Sequence, residues 1–417
     1  MKITNIEAYE IIASNGLPTI EVRLTLDSGT IGIASVPYGS STGSYESTVL
    51  LDREPRYNGK GARKAIANVL EKILPALKDS KVESQQDLDA LMLKLDGTQN
   101  KINLGGNAIL SVSLAYAKAV AQEENIPLYE YFRKSFGIKD SISLPHPMMV
   151  AIEGGRHAFK STDLQEYCLT GETEEGPTES IRKCLETYYV LGEILQSKGI
   201  STNVGHEGAY APDGLESNET PLKLITQAIE KSGHKPKEDI GIMLDAAASE
   251  FFKNGQYFLT LENKRFNSKE LIKYYEPWLH TYPIVCIEDM LHEDDWDAWT
   301  ELTELAKKHK VENIADDLTA TNLIRLQKAI DLEASSAILI KFSQAGTVTE
   351  TIETCLLAKK HNMMTVPSHR GGGETNDSSM IDLAVAVGSK YIKVGPTRGE
   401  RVSKYNRLME IERDLAR

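Results

Sequence analysis

The order of apolar and polar positions divides the chain into two regions. In residues 1–36, apolar residues alternate with polar ones in three short runs, which Asn-Gly and Asp-Ser-Gly turn sequences separate. This alternation predicts a meander of three strands. Residues 60–135 instead place apolar residues at helical spacing, for example at Ala65, Val69 and Ile73. The first region is therefore expected to be an α+β unit, three strands followed by helices.

After Pro145, short apolar runs alternate with amphipathic segments. The runs cover residues 240–244, 284–287, 313–315, 337–340, 364–366 and 391–394. The amphipathic segments between them include residues 294–308, 322–330 and 347–361. A strand–helix repeat of roughly 25–45 residues is typical of parallel strands joined by helices, so the second region is expected to be α/β.

Charged or polar residues stand at the end of nearly every one of these runs. They are Asp245, Glu288-Asp289, Asp316-Asp317, Lys341, Ser368-His369-Arg370, and Lys393 inside the last run. In a (β/α)8 barrel the carboxyl ends of the strands converge on one mouth, where the active site lies. A single acid after a strand usually caps a helix or a turn, but buried lysines at strand ends are costly unless they are paired. Three carboxylates without His or Cys at zinc spacing favour a hard cation such as Mg²⁺.

Composition narrows the classes of function. The 417 residues suit a barrel of about 250 residues plus a smaller domain. The net charge of −13 disfavours nucleic-acid binding, which usually needs a basic face. The N-terminus lacks a signal-peptide pattern, and no apolar run approaches the roughly 20 residues of a membrane span. The four cysteines are widely spaced and form no CxxC pair, which predicts reduced thiols in a cytoplasmic protein.

Residues 37–48, PYGSSTGSYEST, are small and polar and lie between a predicted strand and a helical region. Such a composition fits a linker. It also fits a mobile functional loop, because binding residues often lie on loops that a rigid scaffold positions. Both interpretations stay open on composition alone.

The chain resembles the enolase family along nearly its whole length. The segments that carry the resemblance include VPYGSSTGSYES (36–47), GGRHA (154–158), LQEY (164–167), NVGHEGAYAP (203–212), YPIVCIED (282–289), ADDLTATN (315–322), LIKFSQAGTVTE (339–350), SHRGGGETND (368–377) and GERVSKYNRL (399–408). The resemblance implies an α/β fold, an enolase-type (β/α)8 barrel over residues 139–417 with a smaller N-terminal α+β domain over residues 1–138. It implies a Mg²⁺-dependent hydro-lyase that removes water from 2-phosphoglycerate.

The resemblance also implies roles for individual residues. Asp245, Glu288 and Asp316 match the ligands of a first Mg²⁺, and Ser41 matches the ligand of a second Mg²⁺ that arrives with substrate. Lys341 matches the base that removes the C2 proton. We expect neighbouring cations to lower the pKa of Lys341, so that it can be neutral.

On the same resemblance, Glu207 matches the general acid for the C3 hydroxyl, and Glu166 helps to place that group. We expect Glu207 to be protonated, with the charge of Glu166 raising its pKa. The residues that match substrate contacts are Arg370 on the phosphate, Lys393 on the carboxylate, and His157 and His369, which close over the substrate.

Several positions near the site depart from the usual family pattern. Asp is usual at His206, Asn at Glu153, Ser at Arg156 and Ser directly after Arg370, where Gly371-Gly372 stand with one residue inserted. Asn15 and Leu17 replace the usual Arg and Asn. One interpretation is drift in an ordinary glycolytic enolase. The other is a larger, more anionic head group, with Gly371 and Gly372 leaving room for it and Arg156 and a protonated His206 adding positive charge.

The second interpretation makes the substrate a carboxyphosphono analogue of phosphoglycerate, as in enolase relatives of phosphonate biosynthesis. Two further hypotheses are a catalytically inactive scaffold or surface-binding protein, and a sugar-acid dehydratase or racemase of the wider superfamily. Intact catalytic positions disfavour the first, and the phosphate-type SSTG loop and Arg370 disfavour the second. The family resemblance further implies a homo-oligomer, either a dimer or an octamer, with no nucleic-acid or membrane partner.

Overall fold

The N-terminal region of the computed structural model is a three-stranded sheet covered by helices, as the sequence predicts. The structure describes residues 2–39 and 44–417. The strands β1, β2 and β3 pair antiparallel in chain order. One face of β2 is fully buried through Ile20, Val22 and Leu24, because alternate residues of a strand point to the same side. The strand bounds are Ile3–Ile12, Pro18–Leu26 and Ile31–Ser35.

Five helices follow, and α4 packs closely on the sheet. A β-carbon on Gly32 of β3 would lie 2.0 Å from the carbonyl oxygen of Ala115 in α4, so this approach requires glycine. The predicted helical positions Ala65, Val69 and Ile73 are buried. The helices are α1 (Arg63–Asn68), α2 (Leu74–Lys78), α3 (Gln85–Asp96), α4 (Gly106–Glu123) and α5 (Leu128–Ser135), with a 3-10 turn at Arg56–Gly59 and a π-type turn at Val69–Ile73.

The second region contains an eight-stranded sheet that nearly closes into a barrel. Its strands are β4 (His146–Glu153), β5 (Glu166–Gly171), β6 (Ile240–Asp245), β10 (Ile284–Glu288), β11 (Glu312–Ala315), β12 (Ala337–Ile340), β13 (Met364–Pro367) and β14 (Tyr391–Val394). A small antiparallel sheet, β7 (Phe252–Lys253), β8 (Gln256–Leu259) and β9 (Lys264–Phe266), follows β6. The barrel order is β13-β12-β11-β10-β6-β5-β4-β14. A parallel bridge between Ser368 and Lys393 joins the two ends.

All six apolar runs predicted after Pro145 are barrel strands. They pair in parallel wherever two of them are bonded neighbours. The strand β5 differs, because it runs antiparallel to both β4 and β6. This reversal brings the N-terminal end of β5, which carries Glu166, to the barrel mouth that the carboxyl ends of β4 and β6 form.

Helices surround the barrel. The predicted amphipathic segments correspond to α9, α10 and α12, and Trp299 and Leu302 of α9 are fully buried. In the described part of the chain, no helix has the length and apolar character needed to cross a membrane. All four cysteines are buried and free, in line with the predicted reduced thiols. The helices are α6 (Pro177–Ser197), α7 (Thr220–Lys231), α8 (Ser268–Thr281), α9 (Trp296–Lys308), α10 (Leu323–Asp331), α11 (Phe342–Ala345), α12 (Val348–Lys360), α13 (Ser379–Val387) and α14 (Gly399–Leu415), with a 3-10 turn at Ala248–Phe251.

Candidate active site

A cavity of about 260 Å³ opens at the barrel mouth, at the carboxyl ends of the parallel strands. Strand register brings three acids together there. Glu166 of β5 is the register partner of Asp245 on β6, and Asp245 is the register partner of Glu288 on β10. Each of the three is at most 2% exposed. Two of the three predicted strand-end carboxylates, Asp245 and Glu288, are therefore neighbours, and Glu166 joins them through the reversed strand.

Lys393 projects from β14 into these carboxylates. Its Nζ lies 2.8 Å from Oδ2 of Asp245, 2.9 Å from Oε1 of Glu288 and 2.9 Å from Oε2 of Glu166. Burial alone would lower the pKa of Lys393, but the three negative charges outweigh burial and hold that pKa well above its usual value. Lys393 is therefore a fixed positive charge at the bottom of the cavity.

Lys341 follows β12 and faces Asp316, which follows β11. Its Nζ donates to Oδ2 of Asp316 at 2.5 Å, and Gln344 donates to Oδ1 of the same group at 2.8 Å. Burial and the charge of Arg370 act to lower the pKa of Lys341, but Asp316 outweighs both, and the pKa is raised. Because Asp316 is the charge that raises this pKa, a cation that neutralised Asp316 would act to lower it, and the expected effect of neighbouring cations stays a prediction.

The carboxylate of Asp289 holds the backbone that carries Asp316. It accepts the N–H of Asp316 at 3.0 Å and the N–H of Asp317 at 2.8 Å. One carboxylate oxygen from each of Asp289, Asp316 and Asp317 lies within 4.8 Å of the other two. Asp289 thus orients the neighbouring acids through the main chain.

Glu207 lies between two histidines. Its Oε1 is 3.3 Å from Nδ1 of His157, and its Oε2 is 3.3 Å from Nε2 of His369. His157 also contacts Glu166 at 3.1 Å. Burial alone would lower the pKa of His157, but Glu207 and Glu166 raise it to about 9. The predicted acid and both predicted histidines are therefore in one buried cluster.

The expected protonated state of Glu207 is wrong for this arrangement. Burial alone would raise the pKa of Glu207, but the interactions with His369 and His157 hold it well below its usual range. The proton therefore resides on the imidazole side of the cluster. Glu166, which was expected to raise the pKa of Glu207, is itself occupied by His157 and Lys393.

Arg370 is buried against Glu46. Its Nη2 lies 2.7 Å from Oε2 of Glu46, and both side chains are 4% exposed. Gly39, just before the SSTG sequence, also lies close to this guanidinium, because a β-carbon on Gly39 would be 3.5 Å from Nη2 of Arg370. Ser41, the predicted ligand of the second Mg²⁺, lies outside the described residues.

The departing residues occupy different places. Arg156 lines the cavity, but its side chain is 58% exposed and its Nε pairs with Glu250 at 2.6 Å. His206 is exposed and does not line the cavity, and partial burial with the nearby charge of His157 lowers its pKa. Gly372 does not line the cavity either, and its carbonyl accepts the amide of Asn15 at 2.5 Å. The prediction that His206 is positively charged is therefore wrong at neutral pH. The positive charge of Arg156 is largely balanced by the carboxylate of Glu250.

Gly371 lies against the Glu207–His157 pair. A β-carbon at Gly371 would come 2.1 Å from Oε1 of Glu207 and 2.7 Å from Cε1 of His157. Arg401 fixes this stretch by donating from Nη2 to the carbonyl of Gly371 at 2.8 Å. The space that a serine would occupy is therefore taken by the acid itself, and the absent side chain lets the backbone close on it.

We expect Gly371→Ser to lower kcat by about 10²-fold, since a displacement of roughly 1 Å at a reacting group has that effect. The added atoms would push the Glu207 carboxyl out of place. The measurement is steady-state turnover of 2-phosphoglycerate, the substrate that the family resemblance implies, with Gly373→Ser as the matched control, whose β-carbon would meet Tyr38 and Asn15 rather than the acid. Unchanged kcat in Gly371→Ser would show that Glu207 does not need this approach.

The charge of the cavity fits a metal site. Among the described residues that line it, nine are carboxylates and four are lysines or arginines. A bound divalent cation would offset part of this excess of acidic groups. The donors at Asp245, Glu288 and Asp316 are oxygens only, which suits Mg²⁺. Among the described residues, the groups whose ligand atoms lie within 4.8 Å of one another are Asp289, Asp316 and Asp317, and His157, Glu166 and Glu207. Asp245, Glu288 and Asp316 stay the predicted ligands.

Mg²⁺ should stabilise the folded protein without any substrate. A ligand at about 100 times its Kd adds about 2.7 kcal/mol to the free energy of unfolding. Differential scanning fluorimetry should show a rise in Tm with Mg²⁺ that Asp245→Asn abolishes. The matched control is Asp163→Asn. Asp163 is a half-buried loop residue outside the cavity that accepts the N–H of Thr260 at 2.8 Å, and this variant should keep the rise in Tm with Mg²⁺. An equal rise in Asp245→Asn would remove Asp245 from the metal site.

The sequence did not single out Glu46 and Glu250, which line the cavity, or Gln344, which contacts the cavity residue Asp316. Glu46 holds Arg370, Gln344 holds Asp316, and Glu250 holds Arg156. Glu46 and Gln344 lie inside the segments 36–47 and 339–350 that carry the family resemblance, which is the signal that could have identified them. Glu250 lies on the 3-10 turn after β6, inside the segment DAAASEFF (245–252), which also carries the family resemblance.

Two family models match the chain. The model described as the N-terminal domain of enolase matches residues 3–132, and the model described as the C-terminal TIM barrel domain of enolase matches residues 141–417. Each match falls on the corresponding fold: the first spans the meander and helices α1 to α4, and the second spans every strand of the barrel.

Proposed function

Because the chain belongs to the enolase family, whose members are Mg²⁺-dependent lyases, we propose that it is a hydro-lyase acting on 2-phosphoglycerate or a close analogue. The product is an enolpyruvate. The observation that supports this most is that Lys341 and Glu207 line the same cavity. Lys341 follows β12, and Glu207 lies beside β4. The strands β13 and β14 separate β12 from β4 in the barrel. A base and an acid on different sides of a substrate are what removal of water requires.

Lys341 is the proposed base. It takes the proton from C2 of the substrate, and for this it must first be neutral. One divalent cation would be held by Asp245, Glu288 and Asp316, and a second at Ser41. Both would offset carboxylate charge and stabilise the dianion that develops as the proton leaves. The link from Lys341 to Asp316 places the base next to this ligand set. Lys393 adds a fixed positive charge beside the developing negative charge.

Glu207 is the proposed acid, and His157 supplies its proton. At neutral pH the pKa of about 9 keeps His157 protonated, 3.3 Å from Oε1 of Glu207. The proton passes to Glu207 and from there to the C3 hydroxyl as the carbon–oxygen bond breaks. His369 contacts the other oxygen of Glu207 and keeps the carboxyl oriented. Water leaves without a free hydroxide ion being formed.

Arg370 is the proposed contact for the phosphate. Its guanidinium is held by Glu46, so phosphate binding would exchange one anionic partner for another. Gly371 follows directly and offers no hydroxyl to the phosphate. The buried guanidinium of Arg370 supports a site for a phosphate-like group and disfavours a sugar acid as the substrate.

The second candidate substrate is a carboxyphosphono analogue of phosphoglycerate, which shares the reaction. The specific observation in its favour is Arg156, whose exposed guanidinium lines the cavity mouth and could pair with an added carboxylate instead of Glu250. A missing hydroxyl at Gly371 agrees with a changed head group. A cytoplasmic location and assembly into a homo-oligomer, a dimer or an octamer, complete the proposal.

Comparing kcat/KM for the two substrates with Mg²⁺ tests the proposal. Efficient turnover of 2-phosphoglycerate would make the chain an ordinary enolase, and preference for the analogue by tenfold or more would assign it to specialised metabolism. Turnover of neither substrate, with Mg²⁺ still raising Tm, would contradict the proposal and favour a scaffold or surface-binding role.

A further inference from the structure

The carboxyl group of Glu153 lies beside the segment that carries Glu207. Glu153 is the last residue of β4 and is fully buried. Its Oε1 and Oε2 accept the backbone N–H of Glu207 at 3.2 and 3.1 Å. Oε1 also accepts the N–H of Ala209 at 3.0 Å. One carboxyl group thus binds the amide hydrogens on both sides of Gly208.

The other amides of residues 203–211 find acceptors elsewhere. Ala211 donates to the carbonyl of Asn203 at 2.7 Å, and Gly205 donates to that of Ala209 at 3.0 Å, which closes a tight loop. Tyr210 donates to the carbonyl of Ala151 on β4 at 3.1 Å. The N–H of Glu207 and the N–H of Ala209 are directed instead to Glu153, so this side chain fixes the tip of the loop.

The fit around this carboxyl group is close. A β-carbon on Gly205 would lie 2.4 Å from Cδ of Glu153. Burial, together with the charge of Glu207, raises the pKa of Glu153 to about 8, while His157 acts in the opposite direction and Glu166 adds a smaller like charge. At neutral pH the group is mainly an uncharged acid, whose carbonyl oxygen still accepts both N–H groups.

We propose that Glu153 is a positioning residue, whose carboxyl group sets the place of the Glu207 side chain in the cavity by anchoring the backbone of residues 207 and 209. The role of Glu207 as the acid rests on the proposed function. Asn is usual here in the family that the chain resembles, so this chain uses a longer side chain for the contact. The anchor does not touch the substrate and acts only through Glu207.

The proposal predicts separate effects on the two halves of the reaction. Removal of the C2 proton depends on Lys341, whereas loss of the C3 hydroxyl depends on Glu207. A loop without its anchor would leave two buried N–H groups unsatisfied and would shift. A shift of about 1 Å would slow dehydration roughly 10²-fold but leave exchange of the C2 proton with solvent largely intact. A general loss of structure would slow both steps together.

The test compares Glu153→Leu with Glu153→Gln, which keeps an acceptor oxygen. The matched control is Asp89→Leu, since Asp89 is a fully buried acid that accepts the N–H of Thr349 at 2.9 Å away from the cavity. The first readout needs no substrate: hydrogen–deuterium exchange of the 203–211 segment, followed by mass spectrometry. The second readout is the ratio of C2 proton exchange in D₂O to dehydration, with 2-phosphoglycerate and the carboxyphosphono analogue.

We expect Glu153→Leu to speed amide exchange in 203–211 and to raise that ratio by about 30-fold or more, in line with the loss expected for misplacing a reacting group. In Glu153→Gln, both the amide exchange in 203–211 and the ratio of C2 proton exchange to dehydration should be close to the wild-type values. Asp89→Leu should change neither quantity. If Glu153→Leu does not fold, Gly205→Ala displaces the same loop by pressing on Glu153, and the same split is expected.

Unchanged amide exchange in 203–211, an equal change in Asp89→Leu, or a parallel loss of both half-reactions would overturn the proposal. A failure of the proposed function gives a different result. In that case the wild-type protein would exchange no C2 proton in either substrate, while the amide exchange of the loop would still decide whether Glu153 anchors it.

Discussion

Lys341→Ala should lose dehydration activity by about 10²–10⁴-fold, because it lacks the base that takes the C2 proton. Exchange of the C2 proton with solvent should disappear together with dehydration. The KM should change far less than kcat, since Lys341 acts on the proton and leaves the phosphate and carboxylate contacts in place. The measurements are steady-state kinetics with Mg²⁺ and proton exchange in D₂O by NMR.

The matched control is Lys101→Ala. Lys101 is also a buried lysine in an ion pair, with Glu350 at 3.0 Å, but it does not line the cavity. It should lower stability and keep kcat within a few-fold. Lys341→Ala activity close to that of Lys101→Ala would show that another group removes the proton.

Glu207→Gln should lose dehydration by a similar factor of about 10²–10⁴, for a different reason. A glutamine keeps the volume of the side chain and can still contact His157 and His369, but it cannot pass a proton to the C3 hydroxyl. The C2 proton should therefore continue to exchange with solvent in this variant. Retained exchange without product is the result that separates the acid from the base.

The control for Glu207→Gln is Glu262→Gln. Glu262 is a mostly buried carboxylate that accepts the N–H of Asn218 at 2.9 Å and lies outside the cavity lining. It should leave both half-reactions near the wild-type rates. Loss of C2 exchange together with dehydration in Glu207→Gln would mean that Glu207 is needed for the first step, and its assignment as the acid would be wrong.

The sequence predicted much of the fold because periodicity reports burial directly. Six runs after Pro145 were identified as strands, and each is buried in the barrel. The strands β4 and β5 were not identified, although the segment LQEY (164–167), which overlaps β5, contributed to the resemblance. Strand direction was also hidden, because an apolar run reads the same way in a parallel or an antiparallel strand. The reversal of β5 became visible only through its register with Asp245 and Glu153.

The sequence placed the charged groups but could not give their protonation states. The pKa of Lys341 depends on the 2.5 Å contact with Asp316, and that of Glu207 depends on two histidines from distant segments. Such shifts follow from distances of a few ångströms between groups that are far apart in the chain. For the same reason the collision between a side chain at Gly371 and Glu207 could not be foreseen, and glycine there was interpreted as room for a larger head group.

The most direct test of the central claim is Mg²⁺-dependent exchange of the C2 proton in D₂O, measured by NMR for the wild-type protein and Lys341→Ala with 2-phosphoglycerate and its carboxyphosphono analogue. We predict that the wild-type protein exchanges the proton of at least one substrate and releases the enolpyruvate product, and that both processes vanish in Lys341→Ala or with excess EDTA. Exchange that persists in Lys341→Ala, or its absence from the wild-type protein with both substrates, would contradict the account.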